Sequence, residues 1–144
     1  VFQVSSIPLE RDERLISFLR YKGAFTPPCS SHVPGYVTDA EADKFSAKGI
    51  KGIYVVAVND LFTVQAWKEK LGAKSPLVHF LADDTGDFTA AAGMLFDATG
   101  LLGNKRSQRY VAVVEDATVK QFFIETEAPN VEITKADNVL SALK

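Results

Sequence analysis

The sequence predicts an α/β domain with a central mixed sheet flanked by helices. Three observations carry this expectation. Across most of the 144 residues, apolar runs of strand length alternate with segments whose apolar residues recur at helical spacing. The run Ile53–Val58 is apolar without a break, as in a strand covered on both faces. Near the end, Tyr110–Val114 and Val119–Ile124 are separated by only four residues, too few for a crossover helix, so this pair is expected to form an antiparallel hairpin.

The elements follow in order. Residues 1–14 give no clear element, and Arg11, Asp12, Glu13 and Arg14 form a mixed charge cluster suited to a solvated turn. Leu15, Ile16, Phe18 and Leu19 make a short buried strand. Gly23 to Pro34 reads as a loop rich in Gly, Pro and Ser, with Cys29 inside it. A helix is expected over about Tyr36 to Lys48, with Val37, Ala40 and Phe45 inward and Gly49 as its C-terminal cap. After the central strand, Asn59 or Asp60 caps a helix that carries Leu61, Val64, Trp67 and Leu71 on one face and stops at Gly72. Leu77–Ala82 is the third strand. A short helix near 87–94 places Phe88, Ala91 and Leu95 at helical spacing, and the glycine-bearing loop LFDATGLLGNKRS follows. Thr134 opens the last helix, with Asp137 as a capping-box partner, and that helix buries Ala136, Val139 or Leu140, and Leu143. The order β-α-β-α-β-α-β-β-α is that of a thioredoxin-like domain with an extra strand-helix unit. No repeat, low-complexity tract or linker divides the sequence, so residues 1–144 are expected to form a single domain.

Composition narrows the function classes. Apolar residues make up 47% and charged residues 24%, an ordinary globular balance, and the formal net charge is −2. That charge gives no electrostatic reason to expect nucleic acid or an anionic membrane as partner. No apolar run is long enough to span a bilayer, and no charged-then-apolar leader opens the sequence. The expectation is a non-secreted protein of the cytoplasm or an organelle, mitochondria included.

One cysteine is present, which excludes an internal disulfide and a thiolate metal cluster. A lone cysteine is by default a small buried hydrophobe. Cys29, however, falls after the first strand and at the start of the first helix. Backbone N–H groups and a partial positive charge there stabilise a thiolate, which is the reactive species. Thr26, three residues earlier, can point its hydroxyl at the sulfur or at a ligand held there, serve as an N-cap, or do both. His32 lies one helical turn from Cys29, and a Cys–His pair raises the thought of acyl transfer. His79 sits in an apolar strand as a core histidine. Two histidines so far apart with one cysteine make a poor metal set, so neither metal nor cofactor is expected. LFDATGLLGNKR lacks the spacing of a phosphate-binding loop.

The loop GAFTPPCSSHVPGY resembles the active-site loop of the type-5 peroxiredoxins, which include plant type-II and many fungal enzymes. Their pattern is roughly P-G-A-[FY]-T-x-x-C-S-x-x-H-[VLI]-P, met here by Gly23, Ala24, Phe25, Thr26, Cys29, Ser30, His32, Val33 and Pro34. FSAKGI, VVAVND, AWKEKLGA and LLGNKRSQRYVAVVED extend the likeness over most of the sequence. The resemblance implies a peroxiredoxin-type thioredoxin fold. It also implies a thiol peroxidase that reduces hydrogen peroxide and alkyl hydroperoxides through a cysteine sulfenic acid. Cys29 then corresponds to the peroxidatic nucleophile, and Thr26 to the threonine bonded to peroxide and sulfur. Arg109 corresponds to the arginine that stabilises thiolate and peroxide. Arg106 is expected to be a solvated neighbour and His32 a hydrogen-bonding residue of the loop.

Neither place where relatives carry a resolving cysteine has one here. The resemblance therefore implies a 1-Cys mechanism, with an external thiol such as glutathione, glutaredoxin or thioredoxin as reductant. It also implies a homodimer burying aromatic residues near the active-site loops, with Phe25, Phe62 and Phe88 as candidates. The front of the sequence departs from the pattern: Tyr21 and Lys22 precede Gly23 where Val-Pro or Leu-Pro is usual, and the hairpin region 1–14 is atypical or truncated. The alternative reading is a catalytically degenerate thioredoxin-fold protein that binds or builds rather than reacts.

Overall fold

The computed structural model describes residues 2–3, 14–20, 23–127 and 130–144, the first two stretches as backbone only. Tyr21, Lys22 and most of the 1–14 region lie outside the described residues.

The main sheet contains β1 (Phe2–Gln3), β2 (Arg14–Arg20), β3 (Gly52–Ala57), β4 (Val78–Ala82), β7 (Tyr110–Glu115) and β8 (Thr118–Ile124), in the spatial order β1-β4-β3-β2-β7-β8. The pairs β1–β4, β4–β3 and β3–β2 are parallel, whereas β2–β7 and β7–β8 are antiparallel. The expected mixed sheet and closing hairpin are therefore both present. Asp116 and Ala117 form the hairpin turn with φ of 52° and 58°. Two successive positive-φ residues make the tight turn that suits the right-handed strand twist.

Helices α1 (Pro27–His32), α2 (Pro34–Val37) and α3 (Asp39–Ala47) connect β2 to β3, and α4 (Leu61–Leu71) connects β3 to β4. They are followed by α5 (Asp87–Ala91), β5 (Leu95–Asp97), α6 (Thr99–Leu102) and β6 (Lys105–Ser107), while α7 (Ala136–Ala142) comes last.

Helix α4 matches its expected limits because both ends carry chemistry that stops a helix. The Asp60 carboxylate accepts from the Thr63 N–H at 2.9 Å, and Gly72 closes the other end with φ 66°. Val64 and Trp67 are buried, and the Trp67 ring meets Phe80 edge-on at 5.7 Å. One face of the sheet packs Ile53, Val55, Phe80, Val111 and Val113 against helical residues Tyr36, Phe45, Trp67 and Val139. The other face carries the smaller cluster of Val56, Leu81, Tyr110 and Ala112.

Four expectations need correction. The single helix over 36–48 is three pieces that begin at Pro27. Proline tolerates the first turn of a helix, so Pro27 and Pro28 start α1 and Pro34 starts α2. The LFDATGLLGNKRS loop is structured, with β5 antiparallel to β6 around α6. In α5 the buried residue is Thr89, while Phe88 is 37% exposed and Ala91 is exposed. Asp83 decides this orientation by accepting from the Thr89 N–H at 2.9 Å and the Thr89 hydroxyl at 2.6 Å. Finally, α7 starts after Thr134 and has no side-chain cap, because the Thr134 side chain is committed elsewhere.

His79 is half-buried and stacks on Tyr54 at 4.8 Å. Burial, with the charge of Lys68 adding to it, holds its pKa below the usual 6.5. Its proton therefore binds the unfolded chain first as pH falls. The contribution of neutral His79 to stability is complete above about pH 6.5 and is lost as pH drops from there through the folded-state pKa. His79→Gln is expected to flatten the stability–pH curve below that point, as measured by urea-unfolding midpoints across pH.

Candidate active site

The site forms where α1, the strand end before α4, and the 107–109 segment converge. Gly23 leads into α1 with φ 100°. A Cβ there would lie 2.5 Å from Asn59 Oδ1 and 2.9 Å from Arg106 Nη1, so glycine is required by both backbone and space. Asn59 Oδ1 accepts from the Ala24 N–H at 2.9 Å. Asn59 therefore fixes the loop and leaves the capping of α4 to Asp60. Arg106 is not solvated as expected: it is half-buried, and its Nη1 donates to the Val58 carbonyl. Phe25 adopts φ 62°, a left-handed conformation that costs about 1–3 kcal/mol for a non-glycine residue and persists because this bracing surrounds it. Gly23→Ala is expected to displace Asn59, costing about 2 kcal/mol in thermal unfolding and slowing Cys29 chemistry in parallel.

Thr26 occupies the N-cap position of α1 without a capping hydrogen bond from its side chain. Its hydroxyl donates instead to the Gly23 carbonyl at 3.0 Å. Since a hydroxyl has one proton and two lone pairs, Oγ1 is left with its acceptor function toward anything else. Cys29 is the third residue of α1 and has no exposed surface. With prolines at the first two positions, the first backbone N–H of the helix belongs to Cys29 itself.

Arg109 comes from the other side of the sequence and is 2% exposed. Its Nη2 lies 3.8 Å from Cys29 Sγ, and its Nη1 lies 2.9 Å from His32 Nδ1. A fixed cation at that distance favours the thiolate over the thiol. His32 also places Nε2 2.6 Å from the Thr134 carbonyl oxygen. These two contacts settle the tautomer. The carbonyl can only accept, so Nε2 carries the proton; the guanidinium can only donate, so Nδ1 is bare. His32 is thus neutral and cannot act as a base toward Cys29 while it accepts from Arg109. The acyl-transfer constellation is absent.

The structure brings Cys29, His32 and Arg109 together and sets Thr26 at the head of the same helix. Tyr36, Asn59, Thr134 and Glu125 were not singled out as site residues. Tyr36 Oη donates to the same Thr134 carbonyl at 2.5 Å. Glu125 Oε1 accepts from the N–H groups of Glu132 and Thr134 at 2.7 and 2.8 Å, and from the Thr134 hydroxyl at 2.9 Å. Asn59 lies within VVAVND, a segment that carries part of the family likeness. Glu125 offered only a carboxylate at the end of an apolar strand, a weak signal. No group of three or more His, Cys, Asp and Glu placed to hold a metal occurs among the described residues.

Comparison with known proteins bears on this geometry. The Redoxin family model matches residues 13–140. Peroxisomal membrane associated protein 20 of Schizosaccharomyces pombe is 57% identical over 84% of this chain and 77% of its own length. Peroxiredoxin-2F, mitochondrial, of Arabidopsis thaliana is 39% identical over 84% of this chain. The chain spans only 59% of the length of that second relative. Reduced Prx3 of Vibrio vulnificus, solved in complex with hydrogen peroxide, superposes with a TM-score of 0.83 at 36% identity, covering 93% of this chain and 81% of that one.

Proposed function

The chain belongs to the redoxin family as a thioredoxin-fold peroxiredoxin, and on that premise we propose that Cys29 reduces hydrogen peroxide and alkyl hydroperoxides, with an external thiol restoring it. The placement of Arg109 Nη2 3.8 Å from Cys29 Sγ carries this reading. The thiolate attacks one peroxide oxygen. An S–O bond forms, the O–O bond breaks, and the leaving oxygen takes a proton to depart as water or alcohol. Sulfur gives up two electrons and becomes a sulfenic acid. Arg109 would stabilise the charge that moves from sulfur to the leaving oxygen. Thr26, its proton engaged by Gly23, would accept from the hydroperoxide O–H and hold it in line.

With one cysteine in the sequence, the sulfenic acid condenses with a thiol from another molecule, releasing water. A second thiol equivalent then frees Cys29 and leaves as the external disulfide. Glutathione, glutaredoxin or thioredoxin would serve. The cytoplasm or an organelle would house the reaction, and the names of two relatives carry peroxisomal and mitochondrial locations.

The test mixes pre-reduced protein with one equivalent of peroxide and a sulfenic-acid-selective 1,3-dione. The expected result is one adduct per chain, on Cys29, prevented when an external thiol is added first. A Cys29 that reacts no faster than free cysteine would instead establish the non-enzymatic alternative.

Phe25, Phe62 and Phe88 are 49%, 84% and 37% exposed. Large exposed apolar side chains fit a surface covered by a second copy. Wild type is expected to sediment as a homodimer and Phe62→Glu as a monomer; a monomeric wild type at micromolar concentration would count against the dimer.

A further inference from the structure

We propose that Glu125 is a positioning residue for the peroxidatic site, acting through Thr134 and His32 to hold Arg109 against Cys29. The inference rests on the reading of Cys29 as the reactive thiolate.

The chain of contacts is continuous. Glu125 Oε1 accepts three hydrogen bonds from the 132–134 segment, two of them from Thr134. The held segment presents the Thr134 carbonyl to His32 Nε2 at 2.6 Å. That bond fixes the Nε2–H tautomer and leaves Nδ1 to accept from Arg109 Nη1 at 2.9 Å. Arg109 then reaches Cys29 Sγ with its other terminal nitrogen. Glu125 is also anchored directly to Arg109, since its backbone N–H donates to the Arg109 carbonyl at 3.1 Å. The hairpin therefore fixes both ends of the relay, from Glu125 at the close of β8 to Arg109 just before β7.

Charge strengthens the device. Glu125 is 8% exposed, and Glu132, Thr134 and Arg109 each form part of its surroundings. Burial alone would raise the pKa of this carboxyl, but the Thr134 and Glu132 N–H groups and the Thr134 hydroxyl outweigh it and hold the pKa below its ordinary value. Glu125 is therefore ionised wherever the peroxidase would work, and its bonds to the 132–134 segment are charge-assisted. Without the carboxylate, the Thr134 carbonyl keeps its bonds from Tyr36 and His32 but loses the Glu125 anchor of its segment, so the His32 ring is less firmly placed. Arg109 then has a less firmly placed acceptor at Nη1.

A residue that merely stabilised the fold would lower the melting temperature and leave the thiolate unchanged. Glu125 is expected to do more. Three readouts are taken on Glu125→Ala and Glu125→Gln: thermal unfolding, Cys29 thiolate titration by ultraviolet absorbance, and the second-order rate with peroxide. Glu125→Ala is expected to raise the thiolate midpoint by about one pH unit and lower the rate about tenfold. Glu125→Gln keeps an acceptor oxygen and should fall between Ala and wild type.

The decisive measurement is a cycle with His32→Phe. Once His32 is gone, Glu125→Gln should cost less than about twofold more, because its route to Arg109 is already cut. Additive losses in that cycle, or folded Glu125 variants with wild-type titration and rate, would overturn the proposal. A wild type inactive toward peroxide would be a failure of the proposed function instead. In that case the titration arm still decides whether Glu125 and His32 are coupled to Cys29.

Discussion

Replacing Cys29 with serine is expected to reduce peroxide consumption to the uncatalysed background. Serine nearly matches the shape of cysteine, and the side chain it replaces is fully buried in a helix start, so the fold should survive. The chemistry should not survive. A serine hydroxyl is un-ionised near neutral pH, and His32, the neighbouring histidine among the described residues, cannot take its proton while its bare nitrogen accepts from Arg109. Oxygen is also a poorer nucleophile toward the O–O bond than a thiolate. Stopped-flow mixing with peroxide should show no protein-dependent phase in Cys29→Ser, with thermal unfolding close to wild type. Any substantial residual rate would mean that a group other than Cys29 attacks peroxide.

The second large effect is expected at Arg109. Arg109→Lys retains a positive charge but replaces a rigid planar fork with one ammonium on a flexible stem. The wild-type side chain serves Cys29 Sγ with one terminal nitrogen and His32 Nδ1 with the other. One ammonium cannot keep both alignments, and it must also be held in a site that is 2% exposed. The expected loss in second-order rate is about 10²–10³-fold, the scale of removing one preorganised donor from a developing negative charge. The thiolate midpoint should rise by a smaller amount, because a charge remains nearby. Measuring both separates the two roles. An equal loss in each would assign Arg109 to thiolate formation alone, and a rate close to wild type would remove it from the reaction.

The fold was legible in the sequence wherever burial and local chemistry agreed. The IYVVAV run, the Gly72 end of α4 and the closing hairpin each state one preference without a competitor. Legibility failed where a distant partner decided the outcome. Apolar periodicity marked Phe88, Ala91 and Leu95, but the Asp83 carboxylate turns Thr89 in. Thr134 has the form of a helix cap, yet Glu125 claims its hydroxyl across nine positions. Prolines 27 and 28 read as loop formers when they were helix starters. At the site, the Thr26, Cys29 and Arg109 set came from a motif, and geometry places Cys29 and Arg109 in contact. The solvated reading of Arg106 and the silence about Glu125 share one reason: each is a charged residue whose contacts are with backbone groups brought to it by folding. Sequence patterns register side chains, and they carry almost no trace of which carbonyl or N–H will face them.

The depth of the Cys29 sulfur sets two different demands on the two halves of a turnover. A hydroperoxide carries its reacting oxygen on a small molecule. A reductant thiol on a peptide or protein must bring its own sulfur into bonding distance of an atom with no exposed surface. That encounter would require the groups covering Cys29 to move, and α1, a six-residue helix begun by two prolines, has few backbone bonds of its own. The observed reduction rate would then be the intrinsic rate multiplied by the fraction of time the site is open. A site open about 1% of the time would slow recovery about a hundredfold. Under a steady peroxide supply such a protein would accumulate in its oxidised form, and the burial of Cys29 would set how long each molecule stays oxidised after it has fired.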